Sequence, residues 1–398
     1  MNAIGVVPAE RTSAPGRAQP VEAASSVSTG WGDNFERCVT EFFPSGMGNY
    51  VAPTKREQAG FKLLVAATQQ ALREKDSKLL RRASLYASLL GYEIKAMPSE
   101  RGQFLQLAER GEPTRGWGTV LFNTKQGSDL IIEIPHPAFD IATPELGWRA
   151  FQAFNADVLI LAGAERKNRT ELSPDVEHRP DLPKYSISDM THVRDSIFQA
   201  AHEAVTGPHS TVLQLHGFKA RPHHEKFPDF PADQQFVLTD AANDGYDPPK
   251  LLAAQDALAK AGYKSHICTF ENEAMSELGG LPNVQHKEME ERGLVGPGRH
   301  AEFIHIEMEK SLRRDNVREV HFARMLEALK PVFAPSASST QVAASMVSGP
   351  VGQAIAAVPL DVNAGVTCNA NTAGRTTSEA IMQVPTPSVM RTPKENIP

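Results

Sequence analysis

Short apolar segments alternate with helical patterns through the middle of the chain. Seven segments have the length and composition of buried strands, at residues 119–122, 130–134, 158–162, 211–215, 235–238, 266–270 and 303–308. Between them, helical spacing predicts helices over 144–155, 189–205 (with Ser188 as N-cap) and 249–262. Strands that alternate with helices favour an α/β fold with a mostly parallel mixed sheet flanked by helices.

The pattern also predicts four regions along the chain. Residues 1–30 are rich in Ala, Ser and Pro without periodicity and are expected to be a disordered leader. Residues 31–114 form a helical N-terminal region, because 55–96 has the spacing of two helices. An α/β module covers about 115–330. Residues 331–398 are a low-complexity tail, which has no charged residue between 331 and 360.

Residues 131–145 predict a strand, a loop and a helix in succession. The apolar run ends at His136, and Asp140 lies in the polar loop that follows. Thr143 then supplies a helix N-cap, and Pro144 suits the first helical position. In open α/β sheets, ligands bind where strands end and helices begin. A histidine at that point, four residues before an aspartate, is a candidate metal ligand.

A second predicted strand also ends in a histidine. The segment T-V-L-Q-L-H-G-F at 211–218 ends its apolar run at His216. Neutral imidazoles together with a carboxylate suit Zn²⁺, and three protein ligands plus a water form an open catalytic site. His136 and His216 at converging strand ends therefore favour a zinc site. Hydrogen bonds from both rings to loop backbone are the alternative.

Two further stretches carry residues suited to hydrolytic chemistry. In the last strand, alternation puts Phe303, His305 and Glu307 on one face. A carboxylate there can take the proton of a water at the metal, although an edge strand with one polar face shows the same pattern. The segment G-A-E-R-K-N-R at 163–169 follows a strand. Its arginines can clamp a carboxylate or stabilise an oxyanion, and a solvated basic loop is the alternative.

Taken in chain order, these motifs resemble the zinc carboxypeptidase superfamily. The segments P-H-P-A-F-D, L-Q-L-H-G-F and F-I-H-I-E-M-E-K-S-L-R are most similar to its N-formylglutamate amidohydrolase branch, over about residues 115–320. The resemblance implies an α/β sheet with one Zn²⁺ per chain. It also implies hydrolysis of an amide or peptide bond next to a carboxylate, in a small acidic or peptide-like substrate.

The resemblance implies a role for each matching residue. His136 and His216 correspond to zinc ligands, and Glu307 corresponds to the catalytic base. The residues that would bind the substrate carboxylate and polarise the scissile carbonyl are Arg166, Asn168 and Arg169.

One ligand departs from the H-x-x-E pattern of the superfamily. The third residue after His136 is Phe139, so the second ligand is Asp140 or, as the alternative, Glu145 at the helix start. We choose Asp140 because its loop position leaves its carboxylate freer to reach an ion.

Composition narrows the function classes mainly by exclusion. With 398 residues, 41% of them hydrophobic and 22% charged, the chain is long enough for one large or two modest globular domains. A formal net charge of -6 gives no reason to expect binding to nucleic acid or to an anionic membrane. The three cysteines form no C-x-x-C pair, and neither a run of about 18 apolar residues nor a Sec signal pattern occurs. These features favour a cytoplasmic location.

The two low-complexity ends support an interpretation from another class. The Ser- and Pro-rich leader resembles the N-termini of type III secreted effectors, which would make the protein secreted by a non-Sec route. In that case the hydrolase-like core would bind a protein partner, with the tails contributing to the contact. An effector can also be an enzyme, so the two interpretations are compatible.

Overall fold

A mixed β-sheet forms the centre of the structure. The computed structural model describes residues 50–99, 102–111, 114–176, 184–220, 233–268 and 278–334. The strands in these residues are β1 Tyr92–Ser99, β2 Gly102–Glu109, β3 Thr119–Asn123, β4 Leu130–Ile134, β5 Val158–Leu161, β6 Thr211–Phe218, β7 Phe236–Thr239, β8 Ser265–Ile267 and β9 Glu302–Glu309. Their order in the sheet is β1-β2-β3-β5-β4-β6-β9-β7-β8.

The central part of the sheet is parallel. β5, β4, β6 and β9 are parallel neighbours, and β7 pairs in parallel with β8. The pairs β1–β2, β2–β3, β3–β5 and β7–β9 are antiparallel. The predicted α/β class with a mixed sheet and flanking helices is confirmed. The sheet is not mostly parallel as predicted, because β1, β2 and β3 extend it through antiparallel pairs and β7 is antiparallel to β9.

Helices cover both faces of the sheet. In the described residues they are α1 Lys55–Arg73, α2 Ser77–Leu89, α3 Thr143–Ala153, α4 Ile197–Val205, α5 Pro249–Lys260, α6 Val284–Glu291 and α7 Arg318–Phe333. One apolar core includes side chains of α3, α5 and α7, and a second core includes those of α1, α2, α4 and α6. β4 contributes Leu130, Ile132 and Ile134 to the first core and Ile131 to the second. A strand buried on both faces explains the apolar run in the sequence, which only Glu133 interrupts.

The strand order brings the two histidine-bearing strand ends side by side. The chain leaves β4, forms α3 and returns as β5 on one side of β4, whereas β6 pairs with the other side. Such a reversal of strand order opens a crevice at the carboxyl ends of the strands, where ligands bind in open α/β sheets. His136 after β4 and His216 in β6 both lie at this crevice.

Two strands come from the region for which the sequence predicts only helices. Residues 31–114 supply α1 and α2 as predicted, but they also supply the hairpin β1–β2, which joins the sheet through β3. Tyr92 and Leu107 are buried in this hairpin while Lys95 is exposed. The mixed polar and apolar sequence of an outer hairpin gives a weaker strand signal than a buried run does. The sheet therefore begins N-terminal of the boundary predicted at residue 115.

The helix predicted over 189–205 begins later in the structure. Met190–His192 forms a short 3₁₀ turn, and α4 begins at Ile197 with Ser196 as its N-cap. The Ser196 hydroxyl accepts a hydrogen bond from the Gln199 amide at 3.0 Å. The prediction of Ser188 as the cap is wrong, because the chain is extended at Val193 and breaks the helical pattern.

The two predicted low-complexity ends fall almost entirely outside the described residues. The leader over 1–30 lies wholly outside them, and only residues 331–334 of the tail are described. These few residues continue α7, and Phe333 packs against Phe154 with 5.7 Å between ring centroids. Within the described chain, no helix combines the length and apolar character that a membrane span requires.

Candidate metal centre

The loop after β4 holds His136 and Asp140 in a tight turn. The Asp140 amide donates to the His136 carbonyl at 2.9 Å, and the Thr143 hydroxyl donates to the Asp140 carbonyl at 2.7 Å. The prediction of Thr143 as the N-cap of α3 is wrong, because Ala142 occupies that position with φ +67°. The Thr143 hydroxyl holds the Asp140 loop instead of the helix N-terminus.

The side chains of His136, Asp140 and His216 converge on one point. Asp140 Oδ2 lies 3.4 Å from His136 Nδ1 and 3.4 Å from His216 Nδ1. The potential ligand atoms of these residues all lie within 4.8 Å of one another, and all three residues are buried. The structure therefore brings together the two histidines and the aspartate that the sequence suggests.

A hydrogen bond at Nε2 fixes each imidazole ring on the side away from Asp140. His136 Nε2 lies 2.8 Å from Asp189 Oδ1, and His216 Nε2 lies 2.8 Å from Gln214 Oε1. Both partners accept at 2.8 Å, closer than the 3.4 Å between Asp140 Oδ2 and each Nδ1, so in a neutral ring Nε2 carries the hydrogen and Nδ1 presents its lone pair toward Asp140. His136 Nδ1 has no hydrogen-bond partner within the described part of the chain. Two imidazoles, a carboxylate and these outer hydrogen bonds fit a divalent cation such as Zn²⁺.

The charges around the three residues also favour a cation. Burial raises the pKa of Asp140, but its contacts with His136 and His216 lower it more, and the carboxyl is ionised. Burial and the neighbouring His305 hold the pKa of His216 well below its ordinary value. Burial lowers the pKa of His136, but Asp189 and Asp140 raise it overall. A bound cation would offset the negative charge of Asp140 and Asp189 in place of a proton on His136.

Glu307 and His305 lie next to this cluster on β9. His216 and Glu307 are register partners in the parallel pair β6–β9, and the potential ligand atoms of His216, His305 and Glu307 lie within 4.8 Å of one another. The rings of His305 and His216 stack with 4.2 Å between centroids, and His305 Nε2 lies 3.5 Å from Glu307 Oε1. Among the residues described, Glu307 Oε2 and both His305 nitrogens lack hydrogen-bond partners. Because β9 has strands on both sides, the edge-strand alternative is wrong.

Arg166 is held at the centre through Asp189. Arg166 Nε and Nη2 donate to Asp189 Oδ2 at 3.0 and 2.6 Å, while Asp189 Oδ1 contacts His136. Burial raises the pKa of Asp189, but His136 and His192 hold it well below its ordinary value. One ionised carboxylate therefore connects a candidate metal ligand to a fixed guanidinium.

Asn168 and Arg169 lie further from the three converging side chains. Asn168 Oδ1 accepts a hydrogen bond from the Tyr50 amide at 2.9 Å. Arg169 lines the cavity, and it donates to Glu171 and to the Tyr50 carbonyl. These contacts order the loop, and the predicted substrate contacts of both residues stay predictions.

Glu145, the alternative ligand, has other partners. Its carboxylate pairs with Arg149 at 2.7 Å and with Arg318 at 3.0 Å. In the described chain it belongs to neither group of residues that could hold a metal ion. Asp140 is the carboxylate that lies beside the two histidines.

A cavity of about 1110 Å³ opens over the centre, with His136, His216 and Glu307 in its wall. Positively charged side chains outnumber negatively charged ones in the lining. The positive ones are Arg166, Lys167, Arg169, Lys184 and Lys287. Such an excess of positive charge in a concave surface attracts anionic ligands.

Sequence reasoning assigns no role to Gln214 or His305. Each lies two residues from a candidate ligand or base on the same strand, so period-two alternation puts it on the same face. The alternation along each strand therefore indicates that Gln214 and His305 lie near the candidate ligands. Asp189 gives no such signal, because it reaches His136 only through the folding of a loop that is 53 residues away in sequence.

Comparisons with known proteins give fold likenesses at low sequence identity. No protein-family model and no curated protein matches the chain. Solved structures that match include a bacteriophage poly-γ-glutamate hydrolase, with 12% identity over 64% of this chain and 91% of that chain and a TM-score of 0.32. For an N-formylglutamate amidohydrolase from Ralstonia eutropha, the identity is 14%, the coverages are 57% and 99%, and the TM-score is 0.33. The Legionella pneumophila LapA aminopeptidase matches with 9% identity over 81% of this chain and 80% of that chain, with a TM-score of 0.33.

At TM-scores of 0.32 and 0.33, these likenesses leave the function to be argued from the side chains of the centre itself.

Proposed function

We propose that this protein is a zinc-dependent hydrolase of a C–N amide or peptide bond in a small acidic or peptide-like substrate. The observation that carries the proposal is the convergence of His136 Nδ1, Asp140 Oδ2 and His216 Nδ1 at the ends of two parallel strands. Two imidazoles and one carboxylate leave a fourth position open, as catalytic zinc sites do. Zn²⁺ bound there would act as a Lewis acid toward the scissile carbonyl and the attacking water.

Glu307 is the proposed general base and, later in the reaction, the general acid. It lies beside His216 on the neighbouring strand and lines the same cavity. Its carboxylate would accept a proton from the attacking water as the C–O bond forms. It would deliver that proton to the leaving nitrogen as the C–N bond breaks.

The positive side chains of the cavity are the proposed anchors for an acidic substrate. Arg166 is fixed by hydrogen bonds to Asp189, and the centroid of the Phe139 ring lies 5.2 Å from its guanidinium carbon. A guanidinium held in this way can bind a carboxylate or stabilise negative charge on a carbonyl oxygen. Lys167 and Arg169 add positive charge in the same wall.

The proposal is tested by comparing wild type and Glu307→Gln, both loaded with zinc, on N-acyl amino acids and short acidic peptides. We expect the variant to keep its zinc and to lose about 10²–10⁴-fold in kcat, the usual contribution of a positioned acid–base group. Glu302→Gln is the matched control, because Glu302 lies at the other end of β9 and pairs with Lys250. A wild type that hydrolyses none of these amides, or a Glu307→Gln variant as active as wild type, would overturn the proposal.

A further inference from the structure

Behind His216, a chain of buried hydrogen bonds leads away from the cavity. Gln214 Oε1 accepts from His216 Nε2 at 2.8 Å and from Asn283 Nδ2 at 2.7 Å. Gln214 Nε2 donates to Glu133 Oε2 at 3.0 Å, and Glu133 Oε1 lies 2.6 Å from His202 Nδ1. We call these five side chains the Gln214 network.

The Gln214 network is shielded from water. Glu133, Gln214 and His202 have no exposed surface, and Asn283 is 1% exposed. Water therefore cannot offer alternative partners, and the hydrogen bonds within the protein decide the orientation of each group.

The direction of the hydrogen bonds follows from the charge of Glu133. Burial lowers the pKa of His202, but Glu133 raises it to about 9, so at neutral pH an imidazolium faces a carboxylate. A carboxylate only accepts hydrogen bonds, so the group that Gln214 turns toward Glu133 is its NH₂. The amide oxygen of Gln214 then faces His216, and the donor from Asn283 favours the same orientation.

This orientation determines which nitrogen of His216 can bind a metal. Gln214 Oε1 and Asp140 Oδ2 both only accept, but Gln214 lies 2.8 Å from Nε2 whereas Asp140 lies 3.4 Å from Nδ1, so the hydrogen of His216 belongs on Nε2 and the lone pair is left on the Nδ1 that faces Asp140. We infer that Gln214 is a positioning residue, held by Glu133 and Asn283, that fixes His216 in the tautomer and ring orientation that metal binding requires. The inference rests on the proposed function, since it assigns a role within the metal centre.

The energetic cost of the network supports a functional role. A buried ion pair can often be replaced by apolar residues without loss of stability. Every residue of β4 is buried, and Glu133 is the charged exception among Leu130, Ile131, Ile132 and Ile134. An apolar residue at position 133 would fill the space, but it could not set the direction of the Gln214 amide.

The tautomer of His216 is the first test, measured in the metal-free full-length protein. ¹⁵N NMR distinguishes a ring nitrogen that carries hydrogen from one that carries a lone pair, and the His216 signals are assigned by their loss in His216→Gln. We expect hydrogen on Nε2 and the lone pair on Nδ1. Hydrogen on Nδ1, or an equal mixture of both tautomers, would overturn the inference whether or not the protein proves to be a hydrolase.

The zinc affinity of Gln214→Leu is the second test. Leucine has a similar volume but no acceptor, so we expect binding about 10–100-fold weaker, the usual effect of removing an outer partner of a metal-binding histidine. Gln199→Leu is the matched control. Gln199 is equally buried and accepts from Gln285, whose oxygen is a 3.4 Å partner of Gln214 Nε2. The variant leaves the Gln214 amide and its bonds to His216 and Glu133 in place, so it should keep wild-type affinity.

The outcomes separate this inference from the proposed function. Wild-type affinity in Gln214→Leu, or equal losses in Gln214→Leu and Gln199→Leu, would overturn the positioning role while the metal centre stands. A wild type that binds no zinc would contradict the proposed function and the inference together. Thermal denaturation shows whether each variant is folded, and if Gln214→Leu is not, the tautomer in the wild type decides.

Discussion

At the scale of single residues, the candidate centre depends on which ring nitrogen each histidine presents. Asp189 and Gln214 bind Nε2 of His136 and His216, so that both Nδ1 atoms lie near Asp140. Asp189 differs from Gln214 because it is charged and because Arg166 donates to its second oxygen. Its charge therefore favours a cation near His136 and holds the Arg166 guanidinium in place.

Asp189→Asn removes this charge but keeps an oxygen that can accept the hydrogen bond from His136. We expect zinc affinity to fall about 10–100-fold, as measured by equilibrium competition with a chromogenic chelator. Asp175→Asn is the control, since Asp175 lines the same cavity but accepts from the Arg194 amide. Unchanged zinc affinity in Asp189→Asn would show that the charge of Asp189 does not support the centre.

The sequence predicts the candidate residues that lie close to strand ends, because an apolar run marks each of those ends. His136, Asp140, His216 and Glu307 are of this kind. The contacts of Asp189 depend on how its loop folds back, and no local pattern encodes them. For the same reason the sequence does not reveal the contacts of Asn168 and Arg169. Their side chains bond to the backbone of Tyr50, which is more than a hundred residues away in sequence.

At the scale of elements, a close backbone contact positions the loop that carries Arg166. Gly118 precedes β3 and Gly163 follows β5. A Cβ atom at position 163 would lie 2.2 Å from the Gly118 nitrogen, and one at position 118 would lie 2.1 Å from the Leu161 carbonyl. The two chain segments can approach this closely only because both residues lack a side chain.

Gly163→Ala should therefore separate the ends of β3 and β5. We expect the free energy of unfolding to decrease by about 1–3 kcal/mol, the usual cost of overpacking, with a further loss of activity as Arg166 shifts. Urea denaturation measures the change. Gly207→Ala is the control, because a Cβ there meets no described atom within 4 Å. Equal stability of the two variants would contradict the role given to this contact.

Elements are predicted well where burial is complete and poorly where it is partial. β4 and β5 read directly as apolar runs because every one of their residues is buried. The hairpin β1–β2 mixes buried, partly buried and exposed residues, and polar side chains such as Glu93, Lys95 and Gln106 interrupt its apolar ones, so its sequence does not stand out from the helices before it. The sequence pattern places the start of α4 too early, because the buried residues of the 3₁₀ turn at Met190–His192 lie just before the apolar positions of the helix.

At the scale of the whole molecule, the sheet separates two apolar cores, and the Gln214 network contributes a buried ion pair beside them. Single-sequence patterns predict the layers, because periodicity reports burial. They do not predict which polar side chains meet across strands. Glu133 and His202, which are 69 residues apart, show no mutual signal in the sequence.

This buried pair makes the stability of the protein dependent on pH. In the folded protein, burial lowers the pKa of His202 but Glu133 raises it to about 9, against about 6.5 in the unfolded chain. A group with a raised folded pKa stabilises fully below its unfolded pKa, and the stabilisation is lost as the pH rises through the folded value. We expect the free energy of unfolding of the metal-free protein to fall by an amount on the order of 3 kcal/mol between about pH 6.5 and pH 9.

His202→Gln is the reference for this measurement. Its free energy of unfolding should lack the decrease that His202 causes, while all other groups titrate as in the wild type. Chemical denaturation of both proteins at the two pH values gives the comparison. The same decrease in wild type and variant would show that the pair does not cause it.

Equilibrium zinc binding tests the central claim most directly. Metal-free full-length protein is titrated with Zn²⁺ against a competing chelator, beside His136→Ala, His216→Ala and the control His300→Ala, which changes an exposed histidine outside the centre. We predict one Zn²⁺ per chain in the wild type and the control, and loss of binding in the other two variants. A folded wild type that binds no zinc, or binding that survives both substitutions, would contradict the account.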